Sequence, residues 1–239
     1  MPFYKTDLHC HTSEGSVCAE ESTEATIEKY ISYGFTSIAL TNHLENYRIG
    51  APEGSHTIVF ATYGDYIDFI YDKIDLAREI AGERINILNG FELRNNESEN
   101  DYLVYGLTRQ MAKDFDLVAN PLKKSSEYIR CCGGVIIQAH PMRLGMTQVD
   151  HELVDGYEVF NNTRHWMYTN ILTQMWVQTH CFDKTKILTA GNDHHDPDQL
   201  PEAGILTSEP IVTDADLIRV LKSRDFSIFH PTRMNGGDW

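Results

Sequence analysis

Ser37-Ile38-Ala39-Leu40-Thr41-Asn42-His43 is a short apolar run that ends on a histidine. A run of that length suits a buried strand, and a side chain just beyond its C-terminal end stands at the mouth of a parallel barrel. The same arrangement recurs along the chain. Val135-Ile136-Ile137-Gln138-Ala139 runs into His140, and Pro141 stops the strand directly afterwards because it has no N–H for a ladder. Ile85-Asn86-Ile87-Leu88-Asn89-Gly90-Phe91 runs into Glu92, and Ile187-Leu188-Thr189-Ala190 into Gly191-Asn192-Asp193-His194-His195. A first strand over Tyr4 to His9 brings His9 and His11. A lone strand-end histidine is usually a hydrogen-bonded loop residue. Five strands that all end in a metal-capable side chain, four of them with histidine and one with Glu92, are a different matter.

Between these runs lie segments of helical period. A helix is expected over Thr23 to Tyr33, with Ile27, Tyr30 and Ile31 on one face and Gly34 closing it. Others are expected over Tyr63 to Ala81, Ser125 to Cys132 and His165 to Cys181. Thr213-Asp214-Ala215-Asp216 resembles a capping box that opens a helix to Lys222. Further strands are expected at Tyr157 to Phe160 and Phe226 to Phe229, with Tyr102 to Gly106 an extra hairpin strand. A long insert with Gly50, Pro52 and Gly54 follows His43. Alternating strands and helices, six to eight of the strands parallel, suit one α/β domain over residues 1–239 built as a TIM-like barrel.

Composition bounds the partners. A net charge of −15 disfavours a long nucleic-acid duplex, whose affinity rests on Lys and Arg neutralising phosphates. No basic leader followed by an apolar run opens the chain, and no stretch of about 18 apolar residues offers a membrane helix, so a cytoplasmic protein without a membrane partner is expected. Cys10, Cys18, Cys131, Cys132 and Cys181 are an odd set without a C-x-x-C pair, which points to reduced thiols.

Within Asp7-Leu8-His9-Cys10-His11-Thr12, residues two apart point to one side of an extended strand, so His9 and His11 can converge on one ion. Asp7, in the same phase, would orient an imidazole by accepting its second N–H. Asp193 and His195 repeat the spacing, and the Glu92 carboxylate can bridge two ions.

The ordered series D-x-H-x-H-T, T-N-H, G-x-E, A-H-P and G-N-D-x-H resembles the PHP (polymerase and histidinol phosphatase) superfamily across almost the whole chain. The resemblance implies a distorted seven-stranded (β/α) barrel with two or three divalent transition-metal ions, Zn, Mn or Fe, and hydrolysis of phosphate esters. Members include histidinol-phosphate phosphatases, nucleotide phosphoesterases and proofreading exonucleases. Carried over by motif, His9, His11, Glu92 and Asp193 surround one ion, His43 and His195 a second, and His140 with Glu92 a third. Two departures stand out. Where members often place a His or Asp, this chain has Ser13 to Glu20; Glu20 or Cys18 is a candidate substitute, with a surface carboxylate and a buried thiol the leading readings. No histidine lies between Glu92 and His140, and Asp101 is the nearest carboxylate that can replace one.

Ester hydrolysis by two ions needs an activated water, and Asp193 is the candidate to handle its proton. Arg143, Arg94 and Arg48, beside the metal motifs, are the candidate phosphate clamps, since a guanidinium fork matches paired phosphate oxygens. Glu158, Asn161, Asn162, Arg164 and His165 shape the pocket, while His56, His151, His180, His194 and His230 read as structural or exposed. The expected substrate is a small phosphomonoester or nucleotide. An exonuclease of short oligonucleotides and a catalytically impaired binding module are the alternatives. A C–N bond hydrolase usually needs a bridging lysine, and no lysine ends a strand here.

Overall fold

The computed structural model describes residues 3–46, 59–163 and 168–231, so Arg48, Gly50, Pro52, Gly54, His56, Arg164 and His165 lie outside it. The strands are β1 (Tyr4–Cys10), β2 (Phe35–Leu40), β3 (His43–Leu44), β4 (Asn86–Leu93), β5 (Tyr102–Tyr105), β6 (Val135–Gln138), β7 (Gly156–Asn161), β8 (Ile187–Gly191), β9 (Gly204–Thr207) and β10 (Ser227–Phe229). The helices are α1 (Thr23–Ser32), α2 (Tyr63–Ala81), α3 (Arg109–Lys113), α4 (Leu122–Cys131), α5 (Tyr168–Thr179) and α6 (Asp214–Ser223).

The strands form one nearly closed barrel in the order β1, β2, β4, β5, β6, β7, β8. Leu40 pairs with Asn89 and His43 with Glu92, so β3 continues β2 in an unbroken register along β4. Six staves run parallel. β5 alone runs backwards, antiparallel to β4 and to β6. The seam between β8 and β1 closes at the mouth, where the Asp193 N–H donates to the His9 carbonyl (2.7 Å) and the His11 N–H to the His194 carbonyl (3.2 Å). At the other end of β1, Tyr4 to Thr6 pair instead with β9, which leads an antiparallel ribbon to β10. The fold is thus the distorted α/β barrel expected from the sequence.

Side-chain alternation builds two apolar layers. Ala39, Leu88, Leu103 and Ile137 fill the barrel with Leu8, and α6 closes the bottom with Leu217 and Leu221. Ile38, Leu40 and Ile136 face outward against Ile27 and Tyr30 of α1 and Tyr66, Ile67, Ile70 and Ile74 of α2. α2 has the expected bounds, starting on a Thr62 cap that accepts the Asp65 N–H. The Thr213–Asp216 capping box is present at α6. Helix α4 begins three residues earlier than expected, with Pro121 as its N-cap, whose carbonyl accepts the Ser125 N–H at 3.0 Å. α3 and β9 had no clear sequence signal. No described helix is long and apolar enough to cross a membrane.

Candidate metal centre

Eight buried or half-buried side chains converge at the barrel mouth: His9, His11, His43, Glu92, Asp101, His140, Asp193 and His195. His9 Nε2 lies 3.1 Å from His11 Nε2, 3.4 Å from Glu92 Oε1 and 3.3 Å from Asp193 Oδ1. His11 Nε2 lies 3.2 Å from Glu92 Oε2 and 3.3 Å from Asp193 Oδ1. Donor atoms bound about 2.0–2.2 Å from one cation are separated by roughly 3.0–3.5 Å along the edges of its coordination polyhedron. The observed spacings are of that size. His43 Nδ1 lies 3.2 Å from Glu92 Oε2 on one side, and His140 Nε2 3.0 Å from Glu92 Oε1 on the other. Three groups result, each with ligand atoms within 4.8 Å of one another: His9, His11, Glu92 and Asp193; His11, His43 and His195; and Glu92, Asp101 and His140.

Hydrogen bonds behind the imidazoles aim them. His9 Nδ1 donates to Glu158 Oε1 (2.9 Å), which leaves Nε2 to face the cluster. The Ser16 hydroxyl donates to Asn42 Oδ1 (3.0 Å), so it accepts from His11 Nδ1 at 3.1 Å and leaves the Nε2 lone pair of His11 in front. His195 Nδ1 donates to the Asp193 carbonyl at 2.9 Å. Asn161 Nδ2 and Thr163 Oγ1 donate to Asp193 Oδ2, at 3.1 and 3.0 Å, while Oδ1, aimed at His9 and His11, is buried without a hydrogen-bond partner. His43 Nδ1 is likewise buried without one. Orphaned polar atoms of this kind are costly unless something is to bind them. Together with a donor set of imidazoles and carboxylates, they fit divalent transition-metal ions.

The backbone is bent to make this convergence. Asp193 (φ +48°) and His140 (φ +27°) both take positive φ, where non-glycine residues are uncommon and strain gathers at functional sites. Gly191 lets β8 press against β1, because a Cβ there would stand 2.4 Å from the His9 Cβ.

Charge is finely opposed in the ion-free centre. Burial disfavours a proton on His9, yet Asp193, Glu158 and Glu92 hold its pKa well above the usual range. Burial likewise acts against His195, but Asp193 and then Cys18 push it up to about 11. For His43 burial wins over Glu92, and its pKa falls to about 3.

Two expectations need correction. Asp7 does not orient an imidazole: its carboxylate accepts the backbone N–H groups of His9 and Asn192 (3.1 Å each) and the Tyr30 hydroxyl (2.5 Å). The ladder to β2 shifts register between Asp7 and Cys10, which breaks the two-residue period and turns Asp7 outward while His9 faces in. Glu158 does that work instead. Cys18 is not buried: it is exposed at the mouth, with its sulfur 3.1 Å from His195 Nε2. Glu20 is exposed, as expected. Of the other histidines, His194 is buried with Nε2 on Glu21 at 2.5 Å, and His151, His180 and His230 are exposed.

A cavity of about 490 Å³ opens over the centre, lined by Cys18, His43, Glu45, Glu92, Arg94, Arg143, Thr163, Asp193 and His195. Arg143 Nη1 lies 3.9 Å from Asp193 Oδ2. Arg94 also lines the cavity, but its Nε and Nη2 both donate to Asp101 at 2.7 Å. Glu45 and Thr163 were not singled out from the sequence. Glu45 stands two residues after His43, so the two-residue strand period was a usable signal.

Compared with known protein families, the sequence matches the PHP domain over residues 7–166. The chain belongs to the PHP domain family. The groups of His, Asp and Glu side chains at the mouth are donor sets of the kind that bind divalent metal ions. Several solved structures share the fold at low identity. A two-domain protein from Bacteroides vulgatus, containing a predicted PHP-like metal-dependent phosphoesterase, is 15% identical with a TM-score of 0.61. The match covers 96% of this chain and 65% of that one, so the present PHP chain spans about two thirds of its length. PsfC from Pseudomonas syringae PB-5123 is 13% identical with a TM-score of 0.66, over 97% of this chain and 93% of PsfC. Endonuclease Q, in complex with a 27-mer duplex with an abasic lesion at its active site, is 10% identical with a TM-score of 0.60, over 93% and 57%. A search of curated proteins found no match.

Proposed function

We propose that this PHP domain hydrolyses a phosphate ester, a small phosphomonoester or nucleotide, with a water activated by divalent ions held at the barrel mouth. The observation that carries the reading is the set of donor atoms spaced 3.0–3.4 Å apart around His9, His11, His43, Glu92, His140 and Asp193, beneath a cavity with a guanidinium on its wall. His9, His11, Glu92 and Asp193 would hold one ion and His43 with His195 a second, with Glu92 between the two. Bound there, such ions lower the pKa of water and neutralise charge on a phosphoryl group. Zn, Mn and Fe all suit this donor set.

The chain's own groups do the rest. Arg143 grips the phosphate oxygens from the cavity wall, where its fork lies close to Asp193. Asp193, oriented by Asn161 and Thr163, takes up the proton that the attacking water loses. A cavity of about 490 Å³ suits a molecule of nucleotide size, and the net charge of −15 disfavours a long duplex as substrate.

The test is phosphate release from sugar phosphates, histidinol phosphate, nucleotides and an aryl phosphate, with Mn, Zn or Fe supplied. At least one substrate should turn over, and a chelator should abolish the activity. Failure of every monoester together with trimming of labelled oligonucleotides would make the protein an exonuclease. Failure of both with ions bound would make it a binding module.

A further inference from the structure

Glu92, Asp101 and His140 have the donor types of a third cation position, yet the Asp101 carboxylate is already engaged. Arg94 Nε donates to Oδ1 and Arg94 Nη2 to Oδ2, each at 2.7 Å, and Asp101 is only 1% exposed. This is a fork-on-fork pair, the strongest form of a carboxylate–guanidinium contact. It follows from the sheet register. In the antiparallel pair of β4 and β5, Glu92 faces Leu103 and Leu93 faces Tyr102, so the next residues outward, Arg94 and Asp101, meet across the strands. Because β5 runs backwards, its first residues lie at the mouth, beside the ends of the parallel strands. His140 Nε2 is 3.9 Å from Asp101 Oδ2. An ion shared by these two residues would therefore sit against a fixed positive charge that already neutralises one of its ligands.

Resting on the metal-centre reading, we infer that Arg94 takes the place of a third cation, so that this chain binds two divalent ions and not three. The guanidinium supplies the third positive charge beside Glu92 and His140. Its chemistry differs from that of an ion. It offers N–H donors in a fixed plane and no open coordination position, so it can hold a phosphate oxygen but activates no water. Asp101 is then a positioning residue that sets the plane of the Arg94 fork at the cavity wall, and not a metal ligand.

Equilibrium dialysis of the purified protein against Mn(II) or Zn(II), followed by elemental analysis, tests this without any substrate. The wild type should hold two ions per chain, Asp101→Asn should still hold two, and Arg94→Gln should hold three. Three ions in the wild type, loss of one in Asp101→Asn, or two in Arg94→Gln would each overturn the inference. Circular dichroism establishes that each variant is folded, and if Arg94→Gln is not, the wild-type and Asp101→Asn counts decide the question. Fewer than two ions in the wild type would overturn the metal-centre reading itself, and the inference with it. Two ions without turnover on any phosphate ester would leave the inference standing and remove only the proposed activity.

Discussion

On one side of Glu92, Oε2 faces His11 and His43 at 3.2 Å each, and His195 beyond them looks onto Asp193 and the Cys18 sulfur. On the other side, Oε1 faces His140 at 3.0 Å, and the next carboxylate, Asp101, is covered by Arg94. Both flanks have imidazoles and carboxylates on the same scaffold. Only on the second is a ligand-type carboxylate bonded through both its oxygens to a guanidinium. The comparison teaches that a cluster of ligand-type side chains is an ion site only if its charge is left unbalanced, because every added cation must be attracted by more negative charge than the protein has already neutralised.

The most severe way to break the comparison is to remove the residue both flanks share. Glu92→Gln should cost activity about 10³-fold or more and lower the ion count on the His43 flank, as read by turnover and elemental analysis. An unchanged ion count would show that Glu92 bridges nothing. A milder cut reaches the centre from behind. Glu158→Gln weakens the acceptor of the His9 Nδ1 proton and should reduce metal affinity roughly 10–100-fold by competition with a chelator, while leaving the Arg94–Asp101 pair untouched. Loss below threefold would mean that His9 is oriented by packing alone.

The smallest effect separates the imidazoles by their protons. His195, raised to about 11 in the ion-free protein, carries a proton at pH 7 that an incoming ion must displace, whereas His43, lowered to about 3, carries none. A raised histidine pKa favours the ion-free folded form below pH 11, so affinity for an ion at His43 and His195 should rise with pH. The slope is about tenfold per unit per proton released. Calorimetry in two buffers of different ionisation enthalpy should show net proton release, with His195→Ala releasing about one proton fewer. Heats that do not depend on the buffer would rule out the displacement.

The strand ends were legible because short apolar runs and their terminal residues are local features. His9, His11, His43, Glu92, His140, Asp193 and His195 were all assigned from such runs, and the structure gathers all seven at one mouth. Asp101 was legible only as a carboxylate in a suitable place, since its position depends on β5 running backwards. Asp7 was misassigned because strict alternation held in the sequence pattern but not across the register shift in β1. Cys18 was assigned to the interior on residue type, and only the path of the loop after β1 shows it at the cavity. Arg94 and Arg143 were both read as candidate phosphate clamps beside metal motifs, Arg143 ahead of Arg94. In the structure one is locked to Asp101 and the other reaches over Asp193.

The sequence by itself determined the alternation of strands and helices, and hence which residues stand at the strand ends, because hydrophobic periodicity and strand-stopping residues act within a few positions of the chain. The hydrogen bonds behind each imidazole, the exposure of Cys18 and the pairing of Arg94 with Asp101 were decided only by the tertiary structure. These contacts join residues from different staves, and their partners are set by sheet register and barrel closure, which no local pattern encodes.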